Sequence, residues 1–367
     1  MKYLLKRNIS FTYNEALELI ISMGMIACEE QMLALAEDYK LELDPLAMSF
    51  HEEARTRLSP HTLRELEFFF KYNFLHKGLD FAFYESICSS MEPLSAEEWM
   101  MRLEQSPAER IVAEMVYGVY HDKMDELLQG MDWEVVKGNI PLLLEIAKKT
   151  KPQPEVVKAH VPLLECLAHP EETKVRCLQL IQQFYHDAFS LWKDRLRVES
   201  ERATIRYDEL FHDNPERFIR DHTGTEPIIY DIPTTFHISL MGQVGSNRQV
   251  FYTGTSWIGW VIFGIHNDRV FGPAADREKT ELFLKTFSDK RRLDILLLLR
   301  ERPHYGQEIA TKLSITPSAV NYHANFLFFL NLLEMKRIEH RMYYHLDIEK
   351  LRGLLAVTTR VMLDEDY

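Results

Sequence analysis

The run Ser288-Asp-Lys-Arg-Arg-Leu-Asp-Ile-Leu-Leu-Leu-Leu299, then Tyr305-Gly-Gln-Glu-Ile-Ala-Thr-Lys312, Leu313-Ser-Ile315 and Thr316-Pro-Ser-Ala-Val-Asn-Tyr-His-Ala-Asn-Phe-Leu327 reads as three helices in close succession. The Ser288 hydroxyl suits an N-cap, and Leu293, Leu296 and Leu297 recur behind it at helical spacing. Arg302-Pro303 ends that helix. A second, short helix carries Ile309 and Leu313 on one face, and the chain turns through Ser314-Ile315. Thr316 then caps a third helix with Pro317 at its first position, where the missing N–H costs nothing. The order is helix, turn, helix.

The third helix divides into two faces at 3.6 residues per turn. Val320, Ala324 and Leu327 share the packing face, and Ser318, Asn321, Tyr322 and Asn325 share the free one. A helix entering a major groove needs short polar side chains that reach base edges, and Asn can pair bidentately with adenine. Downstream, Glu334-Met-Lys-Arg-Ile338 and Met342-Tyr-Tyr-His-Leu346 flank a Glu339-His340-Arg341 turn and predict a two-stranded hairpin. Lys336, Arg337 and Arg341 make its tip basic, as a wing lying along phosphates requires. Gln307, Thr316 and His340 complete the expected DNA-facing set.

Four strings in this order, Phe287-Ser-Asp-Lys-Arg-Arg-Leu-Asp-Ile-Leu296, Glu308-Ile-Ala310, Ser318-Ala-Val-Asn-Tyr-His323 and Arg341-Met-Tyr-Tyr-His-Leu346, resemble the ArsR/SmtB family of winged-helix regulators. The layout, a long helical N-terminal region before a winged helix, is similar to larger ArsR-like regulators. The resemblance implies a dimer that binds double-stranded DNA. In many relatives the ligand is a metal, but the soft-metal thiolate positions are matched here by Tyr305, Gly306 and Gln307, and the segment from Asp347 to Tyr367 has no His. Zinc and soft metals need converging N or S donors, so no metal site of either type is expected.

A chain of 367 residues exceeds one winged helix and predicts about two domains. Cys28, Cys88, Cys166 and Cys177 are scattered, and no signal peptide or membrane-length apolar run is visible, so a reduced cytoplasmic protein is expected. The net charge of −13 argues against nucleic acid until its distribution is considered. From Asp276 to Leu346 there are 12 Lys and Arg against 9 Asp and Glu, whereas the remainder carries 31 against 47. The acidic excess lies outside the DNA-reading segment, which is mildly basic at +3.

Upstream, Ser59-Pro60, Ser95 with Glu98, and Ser106-Pro107 with Glu109 predict helix starts, the last two with capping-box spacing. Leu63, Leu66, Phe69 and Phe70, and Ile111, Met115 and Val119, follow at helical spacing. With no Pro or Gly inside it, Glu171 to Phe211 predicts one long helix. The runs Ile228–Tyr230, Phe236–Met241, Val250–Thr253 and Trp260–Phe263, separated by Gly-rich turns such as Gly242–Asn247, predict a small antiparallel sheet. Tyr3 to Tyr13 can add a strand. The expected architecture is mainly α: a helical domain over 1–225, a small antiparallel β segment over 226–272, and a winged helix-turn-helix over 273–367.

Other candidate sites have plainer readings. His160, Cys166, His169 and Cys177 fit no common zinc spacing and suit core and surface roles. Gly242–Asn247 lacks the Lys-Ser/Thr of a phosphate loop and suits a hairpin connection. Trp99, Trp133, Trp192, Trp257 and Trp260 can line a pocket or fill a core. No nucleophile, base and orienting group stand out, so neither an enzyme nor a cofactor is expected. The expected function is a DNA-binding regulator acting as a homodimer, with a small-molecule or protein effector at the N-terminal domain and no membrane partner. The alternative is a winged-helix adaptor that binds protein instead of DNA.

Overall fold

Helices dominate the chain, and several begin where side-chain chemistry satisfies orphan N–H groups. Ser59 accepts from Thr62 N (3.1 Å) ahead of the helix Pro60–Phe70, with Pro60 in the first turn. Ser95 and Glu98 form the reciprocal capping box of the helix Ala96–Gln105. The third expected start differs. The helix Ala108–Tyr120 has Pro107 at its cap without a side-chain bond, and the Ser106 hydroxyl instead donates back to Arg102 O (3.0 Å). The preceding helix ends so close by that its last carbonyls compete for this donor.

The computed structural model describes residues 2–30, 33, 42–71, 78–89, 92–152, 154–223, 225, 227–270, 273–330, 332–338 and 341–363. The chain divides into two units, Met1–Asn267 and Asp268–Tyr367, each with its own buried apolar cluster.

In the first unit the expected long helix is interrupted. Pro170–Asp187 and Lys193–Asp213 are separate helices joined by a 3₁₀ turn, Phe189–Leu191. Ala188, Phe189 and Trp192 at the break are buried, so packing them inward outweighs the missing helical hydrogen bonds, although no helix-breaking residue is present. Leu66, Phe69, Phe70, Ile111, Met115 and Val119 are buried as their spacing predicts. Gly118 stands where a Cβ would meet Gly78 O at 2.2 Å and Phe81 Cβ at 2.5 Å, which brings Ala108–Tyr120 close to the helix Phe81–Cys88.

The sheet of this unit has strands β1 (Ile9–Thr12), β2 (Thr234–Ser239), β3 (Ser246–Tyr252) and β4 (Trp257–Gly264) in the order β1-β2-β4-β3. The antiparallel expectation holds only for β3 and β4. β1 and β4 both run parallel to β2. Gly242–Asn247 is therefore not a hairpin turn, because β2 and β3 are not paired. Every residue of β2, and all of β4 beyond Trp257, is buried, the continuous burial typical of parallel strands covered on both faces. Ile228–Tyr230 lies in a 3₁₀ turn, Pro227–Tyr230, instead of a strand; Tyr230 reaches the core while Ile228 stays exposed.

A buried polar link ties β2 to the helix Glu15–Ala27. His237 Nδ1 accepts from Asn14 N (3.1 Å), so its Nε2 carries the proton donated to Glu18 Oε2 (3.0 Å). Glu18 Oε1 accepts from Met241 N (2.9 Å), leaving both carboxylate oxygens satisfied inside the core.

Candidate nucleic-acid interface

The first long helix of the second unit is Pro273–Phe287, and Asp289 caps the next, Lys290–Glu301, by accepting from Arg291 N (2.8 Å). Ser288, expected as that cap, instead donates to Lys285 O (2.7 Å) and closes the helix before. The buried face of Lys290–Glu301 is Arg292, Ile295, Leu296 and Leu299, while Leu293 and Leu297 are exposed. Within an unbroken Ile-Leu-Leu-Leu-Leu run every position is apolar, so spacing alone did not identify the face.

Gly306–Leu313 buries Ile309 and Ala310, and Leu313 packs at the edge of the cluster. Ser314 then takes a left-handed conformation (φ 53°), which sets the turn. Thr316 Oγ1 accepts from Ala319 N (3.1 Å), and Pro317 opens the helix Pro317–Phe329. Val320, Ala324 and Leu327 are fully buried; Ser318, Asn321, Tyr322 and Asn325 are exposed, in agreement with the two-faced reading.

Behind this helix β6 (Leu333–Ile338) and β7 (Arg341–Leu346) form the antiparallel wing, and a short β5 (His304–Tyr305), unmarked in the sequence, pairs with β7 to make a sheet in the order β5-β7-β6. β7 begins at Arg341, one residue before the expected start. The final helix, Ile348–Leu363, packs against Pro273–Phe287, with Arg360 bonded to Asp276.

The structure distributes the expected contact residues unevenly. Tyr344 OH donates to Asn321 Oδ1 (2.9 Å), which joins wing and helix at the residue chosen for base reading. Burial pushes the Tyr344 phenol up from its ordinary value, so it remains a protonated donor. Sequence reasoning missed Tyr344; the alternation along β7 groups it with Met342 and Leu346 but does not give its partner. Tyr322 is 58 % exposed and stacks edge-on with Phe326. Phe328 packs on Tyr344 of the wing, whereas Phe326 lies 3.4 Å beneath the guanidinium of the buried Arg292.

Asn325 is on the same helix but at the edge of a cleft lined by Arg292, Asp289 and Phe326. Thr316 spends its hydroxyl on the cap. Gln307 is exposed in the first turn of its helix. Lys336 is exposed and paired with Glu334 (3.0 Å). The side chains of Arg337 and Arg341, and the whole of His340, lie outside the described residues.

The other constellations fall in the first unit. Cys166 and Cys177 are free thiols in the core, where burial pushes Cys166 up to about 12. His160 Nδ1 lies 2.8 Å from Tyr120 OH. Among the described residues no three His, Cys, Asp or Glu side chains are grouped to hold a metal ion. Trp99, Trp192 and Trp260 fill the core, with Trp99 Nε1 donating to Ser86 (2.8 Å) and Trp192 Nε1 to Glu53 (3.2 Å). Among the described residues no helix is long and apolar enough to cross a membrane.

Residues 289–334 match the family model described as "Bacterial regulatory protein, arsR family". Neither a curated protein nor a solved structure matches the chain. The matched segment runs from the Asp289 cap through the helices Lys290–Glu301, Gly306–Leu313 and Pro317–Phe329 and ends in β6. The C-terminal unit thus contains a helix-turn-helix segment similar to that of the arsR family.

Proposed function

We propose that this protein is a transcriptional regulator, not an enzyme, that reads DNA with the exposed face of Pro317–Phe329 in the major groove and sets the wing on the phosphate backbone. The observation that supports this best is the separation of the helix into a buried Val320, Ala324, Leu327 face and an exposed Ser318, Asn321, Tyr322 face. The bond from Tyr344 uses one lone pair of Asn321 Oδ1, leaving the other lone pair and both amide hydrogens for a base edge. On this reading it acts as a two-fold dimer, and an effector of the helical unit biases the paired DNA-reading heads. The adaptor reading draws on the absence of Lys and Arg from the recognition helix itself.

The discriminating measurement is the affinity of the purified chain for duplexes from its own upstream region and for random duplexes, over a salt series. Asn321→Ala is expected to cost roughly 1–3 kcal/mol at the specific site and leave random-sequence binding nearly intact. Arg341→Ala is expected to weaken both and to flatten the slope of log K against log[salt] by about one unit per lost phosphate contact. Absence of specific binding at every salt concentration, with folding intact, favours the adaptor.

A further inference from the structure

The second unit contains a cleft of about 870 Å³ between the end of Pro273–Phe287, the start of Lys290–Glu301 and the flank of the recognition helix. Its walls include Leu282, Lys285, Asp289, Arg292, Asn325 and Phe326. Arg292 is 8 % exposed, with its guanidinium over the Phe326 ring and its Nη1 donating to Thr286 O (3.2 Å). Its Nε has no hydrogen-bond partner. The nearest carboxylate oxygen, Asp289 Oδ2, is 3.9 Å away, beyond hydrogen-bond reach, and Asp289 Oδ1 is committed to Arg291 N. His323 Nδ1, also buried and without a hydrogen-bond partner, is 3.5 Å from the same Asp289 oxygen, and the exposed ammonium of Lys285 adds positive charge at the rim.

A buried guanidinium N–H left without an acceptor is costly, and its persistence calls for an explanation. Here it borders a cavity with an aromatic and an aliphatic wall. Apolar walls with a few convergent polar groups are the ordinary composition of a small-molecule site. We infer that this cleft binds a small amphipathic monocarboxylate, its carboxylate received by Arg292 Nε and Lys285 and its hydrocarbon body laid on Leu282 and Phe326. Asp289 disfavours ligands with several negative charges, and one vacant buried N–H matches a carboxylate better than a phosphate that needs more donors. Because Asn325 and Phe326 belong to the recognition helix, a ligand that prefers one position of that helix is coupled reciprocally to whatever the helix binds.

Titration calorimetry of the full chain with decanoate, and with decanol as the uncharged analogue, tests the site. Decanoate is expected to saturate one site per chain and to bind about tenfold or more tighter than decanol. Arg292→Gln should bring decanoate down to the decanol level. If that variant does not fold, Lys285→Gln at the exposed rim should weaken decanoate alone. Ser288→Trp, which fills the mouth from an exposed position at the cost of the hydroxyl bond to Lys285 O, should block both ligands while a cooperative thermal transition is retained. No saturable decanoate binding, equal affinity for decanol, or decanoate binding indifferent to Ser288→Trp overturns the assignment. No DNA is present in these titrations, so their outcome and that of the DNA measurements stand apart.

Discussion

Asn321 and Tyr344 illustrate how a residue with the right chemistry becomes a usable reader. An exposed Asn on a helix samples several rotamers; one whose Oδ1 is held by a buried tyrosine hydroxyl presents its amide in a fixed direction, which lowers the entropy lost on contact. Tyr344→Phe is expected to remove about 0.5–1.5 kcal/mol from the stability of the winged-helix unit. It should also reduce discrimination between specific and random DNA by less than Asn321→Ala does. Chemical unfolding and competition binding on the same preparation check both parts, and unchanged discrimination in a folded variant removes Tyr344 from the reading apparatus. The exposed Asn321 was visible from helical periodicity. Its partner, 23 residues away on a strand, was not.

Helices and strands followed local signals where those signals were unopposed. Ser59, Ser95 and Thr316 capped as their chemistry predicts, but Ala188 interrupts a stretch free of Pro and Gly because Phe189 gains more from the core than from a continued helix. In Ala108–Tyr120 the buried Glu114 carries a testable consequence. Burial, with a smaller push from Glu85, raises its carboxyl from the ordinary 4.5 to about 7. The folded state then keeps a proton that the unfolded chain has released, so this group's contribution to stability falls as pH rises from about 4.5 to about 7 and stays unfavourable above that. Glu114→Gln is expected to match the parent near pH 4.5 and to exceed it at about pH 8 by on the order of 1–3 kcal/mol. Urea unfolding midpoints across that range read the difference directly, and a gap that does not change with pH excludes titration of Glu114 as its source.

At the level of the whole chain, the acidic excess lies outside the mildly basic segment from Asp276 to Leu346, so association with DNA should depend on placed cations more than on bulk attraction. Phe283, Leu351 and Leu354 are used in the apolar cluster of the second unit, yet Leu284, Leu355 and Met362 remain 46 %, 47 % and 64 % exposed on the two helices that pack together there. A two-fold dimer that covers this surface would read half-sites about one helical turn (~34–36 Å) apart, or a small multiple of that spacing. Sedimentation at micromolar concentration is expected to give a dimer. The double variant Leu355→Glu, Met362→Glu should sediment as a monomer and lose affinity for the paired half-sites. A parent protein that stays monomeric with and without DNA rules the dimer out.

Capping residues, Pro317 at a helix start and the spacing of Val320, Ala324 and Leu327 made the helix-turn-helix legible, because these forces act within one or two turns and need no knowledge of distant chain. Uneven charge was legible for the same reason, being a sum over neighbours. The parallel pairing of β1 with β2, the Glu18–His237 contact across 219 residues and the close approach at Gly118 were not, since each depends on which surfaces meet once the core closes. Nor was the buried face of Lys290–Glu301, where uniform apolarity erased the periodic signal and packing made the choice; that choice placed Arg292 over Phe326 and left its Nε at the edge of a cleft.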